Sequence, residues 1–103
     1  STSRARAMTF YPQCGLGVRE LEESEVRLAR VTRLLETTML RRVPLRTGQW
    51  VYFDGNAAAK GINVNKRVTV LLRTIDAALL RDMGGVMRGH AIVATEQDHR
   101  CLK

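Results

Sequence analysis

The chain has few cysteines, prolines and aromatic residues, fewer acids than basic residues, and no long apolar run. The scarcity of cysteine and the missing apolar run each exclude a class of protein. Among 103 residues there are two cysteines and two prolines, and aromatic residues make up 5%. Cys14 and Cys101 have no further Cys or His at zinc-ligand spacing, so we expect free thiols in a reducing, intracellular setting. No apolar run approaches the roughly 20 residues that span a bilayer. We therefore expect no metal, no cofactor and no contact with a membrane.

Positive charge is the property that is present in excess. Lys and Arg number 17 against 10 Asp and Glu, which gives a formal net charge of +7. Polyanions are the natural partners of such a surface, because each phosphate contact releases condensed counterions. Small basic subunits of large assemblies that never touch nucleic acid are the alternative. The length allows one core and one domain.

Hydrophobic patterning divides the chain into three parts. Residues 1–18 lack periodicity and predict a flexible N-terminal extension. The domain is expected over residues 19–96, and residues 97–103 are interpreted as a polar C-terminal tail. Within the domain, residues 20–40 predict a helix because leucines recur every seven positions and acids precede basic residues.

After that helix the sequence predicts short strands with glycines at the bends. These strands are expected over residues 40–46, 49–53, 68–72 and 91–94, and residues 75–80 and 86–87 are expected to form either a further strand pair or one bent strand. Pro44 lacks an N–H and must occupy an edge or a non-hydrogen-bonded position. The expected fold class is mainly β, an N-terminal α-helix followed by a five-stranded, strongly bent antiparallel small barrel. Residues 69–81 also fit a helix with its leucines on one side, and this alternative stays open.

Two tips of the predicted sheet carry polar and basic side chains. Arg88-Gly89-His90 lies between two apolar runs, and Gly89 can adopt the positive φ that a tight reversal requires. The stretch Asn63–Arg67 precedes the β-branched run. We expect the two tips to converge into one cationic lip.

In order and spacing, these segments resemble the Sm and Sm-like (LSm) proteins. The resemblance rests on the initial helix, Gly48 and Gly55, the segment 61–71 and the segment 86–93. It implies a helix capping a bent five-stranded barrel. It also implies assembly with other Sm or LSm subunits through edge strands, into a ring that grips single-stranded, uridine-rich RNA.

By position, the resemblance also implies a set of RNA-binding residues. Arg88 and Gly89 match the family's second motif, and His90 replaces its Asn or Asp. Around the first motif, Asn63 replaces Asp, Lys66 replaces Met and Arg67 replaces Asn. At Asn65 the family often has an aromatic residue, whose loss removes a stacking contact worth about 1–3 kcal/mol. The implied RNA-binding set is Asn63, Asn65, Lys66, Arg67, Arg88, Gly89 and His90, and it is more electrostatic than the family's own.

The leading hypothesis is a non-enzymatic ring subunit that binds RNA in a splicing or RNA-processing ribonucleoprotein such as an snRNP. The alternative is an Sm-like assembly or scaffold subunit of a ribonucleoprotein or ribosome-associated complex, without its own base-reading pocket. An enzyme is the weakest hypothesis, because no Ser/His/Asp or Cys/His set and no Walker-type glycine loop stands out. We expect the protein in the nucleus or the cytoplasm, with mitochondria left open.

Overall fold

In the computed structural model, which describes residues 8–14 and 17–102, a five-stranded antiparallel sheet lies at the centre. The strands in chain order are β1 Met8–Tyr11, β2 Arg19–Glu20, β3 Leu40–Pro44, β4 Trp50–Asp54 and β5 Ala91–Ala94. The α-helices are α1 Leu28–Leu34, α2 Lys66–Ile75, α3 Ala77–Asp82 and α4 Glu96–Cys101. Across the sheet the order is β2-β1-β5-β4-β3, so the last strand in the chain is the central one.

Helices cover both faces of the sheet, as the alternation along β4 shows. Val51 and Phe53 belong to a core cluster with Val68 of α2. Tyr52, between them, points to the opposite face and joins a second cluster with Val31 of α1. Because both faces are covered, all four residues of β5 are buried, which agrees with the uninterrupted apolar sequence of that strand.

The hairpin and the last strand follow the sequence-based prediction. β3 and β4 are joined by a turn in which Leu45 N donates to Gln49 O at 2.7 Å and Gly48 has φ +91°. Pro44 lies in β3, which is an edge strand, as its missing N–H requires.

The expected barrel is not confirmed, because the sheet is open, with β2 and β3 as its edges. Its strands are only two to five residues long, and α2 and α3 are inserted between β4 and β5. Such short strands cannot curl far, and helices rather than sheet closure bury the apolar faces. The order also differs from the expectation, since β1 and β2 precede α1.

The strands predicted over residues 68–72 and 75–80 are α2 and α3. The segment is helical, as the alternative expected, but it forms two helices that meet at Asp76 rather than one over residues 69–81. Asn65 caps α2 by accepting a hydrogen bond from Val68 N at 3.1 Å. Asp76 caps α3 in the same way, from Leu79 N at 3.1 Å. Caps and tertiary packing outweigh the modest β-preference of valine.

The helix predicted over residues 20–40 is shorter than expected. Only Leu28–Leu34 is α-helical, because Arg27 is extended at φ −142° and ψ 145°. At the other end Glu36 has φ +53°. The leucine repeat nevertheless identified buried positions, since Leu21 is 0% and Leu35 3% exposed.

Both predicted ends of the chain are corrected where the structure describes them. Met8–Tyr11 is not extension but strand β1, paired along its whole length with β5. Glu96–Cys101 is not a polar tail but helix α4, followed by the buried Leu102. Residues 1–7, 15, 16 and 103 lie outside the described residues.

Candidate functional site

The two segments that were predicted to converge do meet, through their backbones. Val64 and Arg88 form an isolated antiparallel bridge. Asn65 N donates to Met87 O at 2.7 Å, and Gly89 N donates to Asn63 O at 3.0 Å. Residues 86–87, expected in a strand, are not part of one; they lead into this bridge, and Met87 O accepts a hydrogen bond beside it. The contact aligns the start of α2 with the entry to β5.

Asn65 is a structural residue rather than a ligand contact. It is fully buried. Its Nδ2 donates to three backbone carbonyls, those of Tyr11 at 3.1 Å, Pro12 at 3.3 Å and Gly89 at 2.9 Å. Because Oδ1 already caps α2, the amide has no group left for a base, and the prediction of RNA contact is wrong for this residue.

Gly89 and His90 also hold the fold together. Gly89 is buried with φ +79°, and an added Cβ would lie 3.4 Å from Ile62 Cγ2. His90 accepts a hydrogen bond from Gln13 N at its Nδ1 at 2.9 Å, so the neutral ring carries its proton on Nε2. That Nε2 lies 3.5 Å from Glu36 Oε2. Neither residue is presented at a tip.

Arg88 uses part of its guanidinium group for a hydrogen bond within the fold. Its Nη1 donates to Ile62 O at 2.9 Å, and the side chain is half-buried. The guanidinium has five N–H donors, so most of them remain available. Arg88 therefore both supports the loop and offers charge.

Lys66 and Arg67 are the predicted residues whose side chains face solvent together. Both are exposed in the first turn of α2, and no carboxylate of the described residues lies within 4.0 Å of either. Asn63, two residues before the cap, is exposed as well. Lys66 and Arg67 therefore lie at the start of a helix and not at the strand end that was predicted for them.

The exposed side of α2 extends this positive surface. It consists of Lys66, Arg67, Val70, Arg73 and Thr74, and we refer to it as the outer face of α2. No Asp or Glu occurs between Lys66 and Ile75. Solvated helices usually mix charges of both signs, so a helix face that carries cations and no acids is unusual.

Nearby acids do not neutralise the outer face of α2. Asp76, at the junction with α3, is buried, and its two oxygens accept from Leu79 N and Arg46 N. Arg81 of α3 adds a further exposed cation, and Asp82 is the exposed acid that follows it. Sequence reasoning missed this surface because it assigned residues 68–72 to a strand. The missing acids in that stretch were the available signal.

A second polar cluster, also missed, joins α4 to the sheet. The rings of Trp50 and His99 stack with centroids 3.6 Å apart and planes 8° apart. Trp50 Nε1 donates to Glu96 Oε1 at 2.8 Å, and Tyr52 Oη lies 2.7 Å from His99 Nδ1. Burial raises the pKa of Tyr52 to about 12. Tyr52 is 0% exposed and closed to substrates, so the cluster holds the helix in place.

The described part of the chain holds neither a metal-ligand cluster nor a membrane-spanning helix. There is no group of three or more His, Cys, Asp or Glu residues that could hold a metal ion. Cys14 and Cys101 form no disulfide and are exposed. None of the helices there has the length and apolar character needed to cross a membrane.

Comparison with known proteins gives no further assignment. No family model matches the chain, and no curated protein and no solved structure matches it either.

Proposed function

We propose that this protein is a non-enzymatic subunit that binds RNA by its phosphate backbone, through the outer face of α2. The observation that carries the proposal is the exposed, acid-free set of Lys66, Arg67 and Arg73 on one helix. Three cations without carboxylate partners, on a protein of net charge +7, match the sign of a polyanion and offer a small neutral ligand no advantage.

The placement of two cations at the start of α2 supports an anionic partner. The N-terminus of a helix is positive, so each cation there costs about 0.3–1 kcal/mol at the surface. The Asn65 side chain takes the N–H of Val68, and no acceptor for the N–H of Lys66 or Arg67 occurs among the described residues. A bound phosphate would relieve the unfavourable charge and accept from these donors.

Small side chains between the cations allow close approach. Val70 is 54% exposed. The Thr74 hydroxyl donates to Val70 O at 3.0 Å, and this hydrogen bond holds the Thr74 side chain against the helix. No aromatic residue lies on this face to stack on a base. With Asn65 buried as well, we expect binding with little preference for uridine.

Assembly through an edge strand forms the second part of the proposal. Among the described residues β3 pairs with β4 alone, and the register leaves the backbone groups of Leu40 and Arg42 directed away from the sheet. A neighbouring strand could pair there, although Pro44 removes one donor and Arg42 restricts which neighbour fits. This edge is where we place the contact to other subunits of a splicing or RNA-processing particle.

Titration with oligouridine at several salt concentrations tests the RNA-binding proposal. The variant Lys66→Gln/Arg67→Gln/Arg73→Gln should bind more weakly. It should also lose about 2 units of slope in a plot of log affinity against log salt, since each phosphate contact to a single strand contributes about 0.7. Polyadenosine should behave like oligouridine, because no base-reading group lies on this face.

A matched variant removes the same charge elsewhere. Arg27 is exposed just before α1, Arg33 is exposed on α1, and Arg42 is exposed on β3. The variant Arg27→Gln/Arg33→Gln/Arg42→Gln should keep nearly the full salt slope. Equal losses in the two variants would show that binding reflects net charge alone and would refute the outer face of α2 as the site.

A further inference from the structure

A cavity of about 380 Å³ lies where α3 and the segment after it cover the β3–β4 end of the sheet. This volume is in the range of about 300–1,000 Å³ typical of small-molecule pockets. No residue of α2 lines the cavity, so it is separate from the proposed RNA-binding surface. Gly84 and Gly85, both at positive φ, turn the chain after α3 towards the sheet.

Apolar side chains form one part of the cavity wall, and polar side chains make up a similar share. Phe53 and Met87 line it from the core, where they are 8% and 1% exposed. Leu79 and Met83 contribute from the α3 side, and Val43 from the edge strand. Methionine side chains adapt their shape to an occupant, and apolar walls of this kind favour a hydrocarbon or aromatic body.

Two arginines line the same cavity and lack carboxylate partners. Arg41 is exposed on β3, and its Cζ lies 5.6 Å from the centre of the Phe53 ring. Arg88 also lines the cavity, and its Nη1 donates to Ile62 O. Among the described residues, neither guanidinium lies within 4.0 Å of an Asp or Glu oxygen.

The acids at the cavity do not cancel this charge. Asp54 is 4% exposed and is engaged by Lys60, by the Thr37 hydroxyl and by Asn56 N. Burial alone would raise its pKa, but the hydrogen bonds from Lys60, Asn56 and Thr37 outweigh burial and leave the pKa of Asp54 below its usual value. Asp82, at the rim, is exposed, so solvent screens its charge.

We propose that this cavity binds a small organic anion, with an apolar body between Phe53 and the α3 side chains and a carboxylate or phosphate head on Arg41 and Arg88. Guanidinium groups pair with both heads through two parallel hydrogen bonds, which places the charge at the polar side of the cavity. The apolar body fills the region lined by Leu79, Met83 and Met87.

Calorimetric titration with octanoate and octyl phosphate tests this site. Both should bind at one saturable site, and octanol, octylammonium and inorganic phosphate should each bind at least tenfold more weakly. A hydrogen bond to a charged group contributes about 1.5–3 kcal/mol, which is the basis of the tenfold figure. The better of the two anions identifies the head group. Octanol binding as tightly as octanoate would overturn the proposal.

Two neighbouring alanines provide a matched pair of variants. Ala58 lines the cavity and Ala59 does not, and both are exposed. Ala58→Trp should reduce octanoate affinity at least tenfold, and Ala59→Trp should leave it unchanged. Equal effects from the two variants would contradict the site.

A variant that removes one positive charge tests the site without changing the shape of the cavity. Arg41→Gln, on the exposed edge strand, should lower octanoate affinity about tenfold and leave octanol unaffected. The glutamine variant of the outer face of α2 should retain octanoate binding, which separates this site from RNA binding. Unchanged octanoate affinity in Arg41→Gln would refute the role of the guanidinium.

Discussion

At the scale of single residues, Asn65 connects three parts of the chain that are distant in sequence. One amide group joins the end of β1, the start of α2 and the turn that leads into β5. Such a side chain is expensive to replace, because each carbonyl it satisfies would be left buried without a donor. Asn65, which the sequence analysis placed in contact with RNA, therefore stabilises the fold by joining these three segments.

Asn65→Ala should destabilise the protein by about 3 kcal/mol, since it removes a helix cap and a shared donor. Urea unfolding measures this loss. Asn63→Ala, two residues earlier and exposed, should change stability by less than about 0.5 kcal/mol. Asn65→Asp keeps the cap but sets a carboxylate against the carbonyls, so it should also destabilise. An Asn65→Asp variant with unchanged stability would show that only the cap contributes.

Glu25 gives a residue-scale prediction for acid. Hydrogen bonds from the Arg19 guanidinium and from Glu22 N lower the pKa of Glu25 from 4.5 to about 2. Because the folded-state pKa is depressed, the stabilisation is present above 4.5 and is lost as pH falls towards 2. Urea unfolding across that interval should show this decline, and Glu25→Gln should flatten it. An identical decline in Glu25→Gln would contradict the assignment.

At the scale of elements, α2 was misread because valine-rich sequence suits a strand. Val68 and Val70 would share one face of a strand, yet in α2 Val68 is 0% and Val70 54% exposed. The decisive features are the caps at Asn65 and Asp76 and the burial of Leu72 one turn after Val68. Both caps are local contacts between residues three apart, and Asn and Asp are preferred N-cap residues, so this signal was present in the sequence and the valine pattern was given more weight. The burial of Leu72 depends on partners elsewhere in the fold and has no such local signal.

A pair of alanine variants distinguishes helix from strand at this segment. Val68→Ala should cost about 2 kcal/mol through lost burial and the remaining cavity. Val70→Ala should be neutral within about 0.5 kcal/mol or slightly stabilising, because alanine is the better helix former and the site is exposed. Thermal or urea unfolding measures both. Similar losses at the two positions would indicate a strand buried on that side.

Other elements were predictable to different degrees. The β3–β4 hairpin and β5 were found because turn residues and apolar runs are local signals, and Pro44 correctly indicated an edge. β1 and α4 were missed, since their identity depends on pairing and packing with the opposite end of the chain. The candidate site was found only in part, through Lys66 and Arg67. Its remaining members became visible once α2 was known to be a helix.

At the scale of the whole molecule, an open sheet covered on both faces leaves three distinct surfaces for function. One is the outer face of α2, another is the free edge of β3, and the third is the cavity beside α3. Positive charge is present on all three, through Arg67, Arg42 and Arg41 respectively. The proposals give each surface its own partner, namely RNA, a neighbouring subunit and a small organic anion. Substitutions on one surface should therefore abolish binding of its own partner and leave the other two interactions intact.

Amide chemical-shift mapping with isotope-labelled protein and oligouridine tests the central claim most directly. We expect the largest shifts along α2, from Lys66 through Thr74, with smaller ones at Asn63 and Arg81. Shifts centred instead on Arg27 and on Arg30 and Arg33 of the adjoining α1, with α2 unchanged, would contradict the assignment of the RNA-binding surface to the outer face of α2.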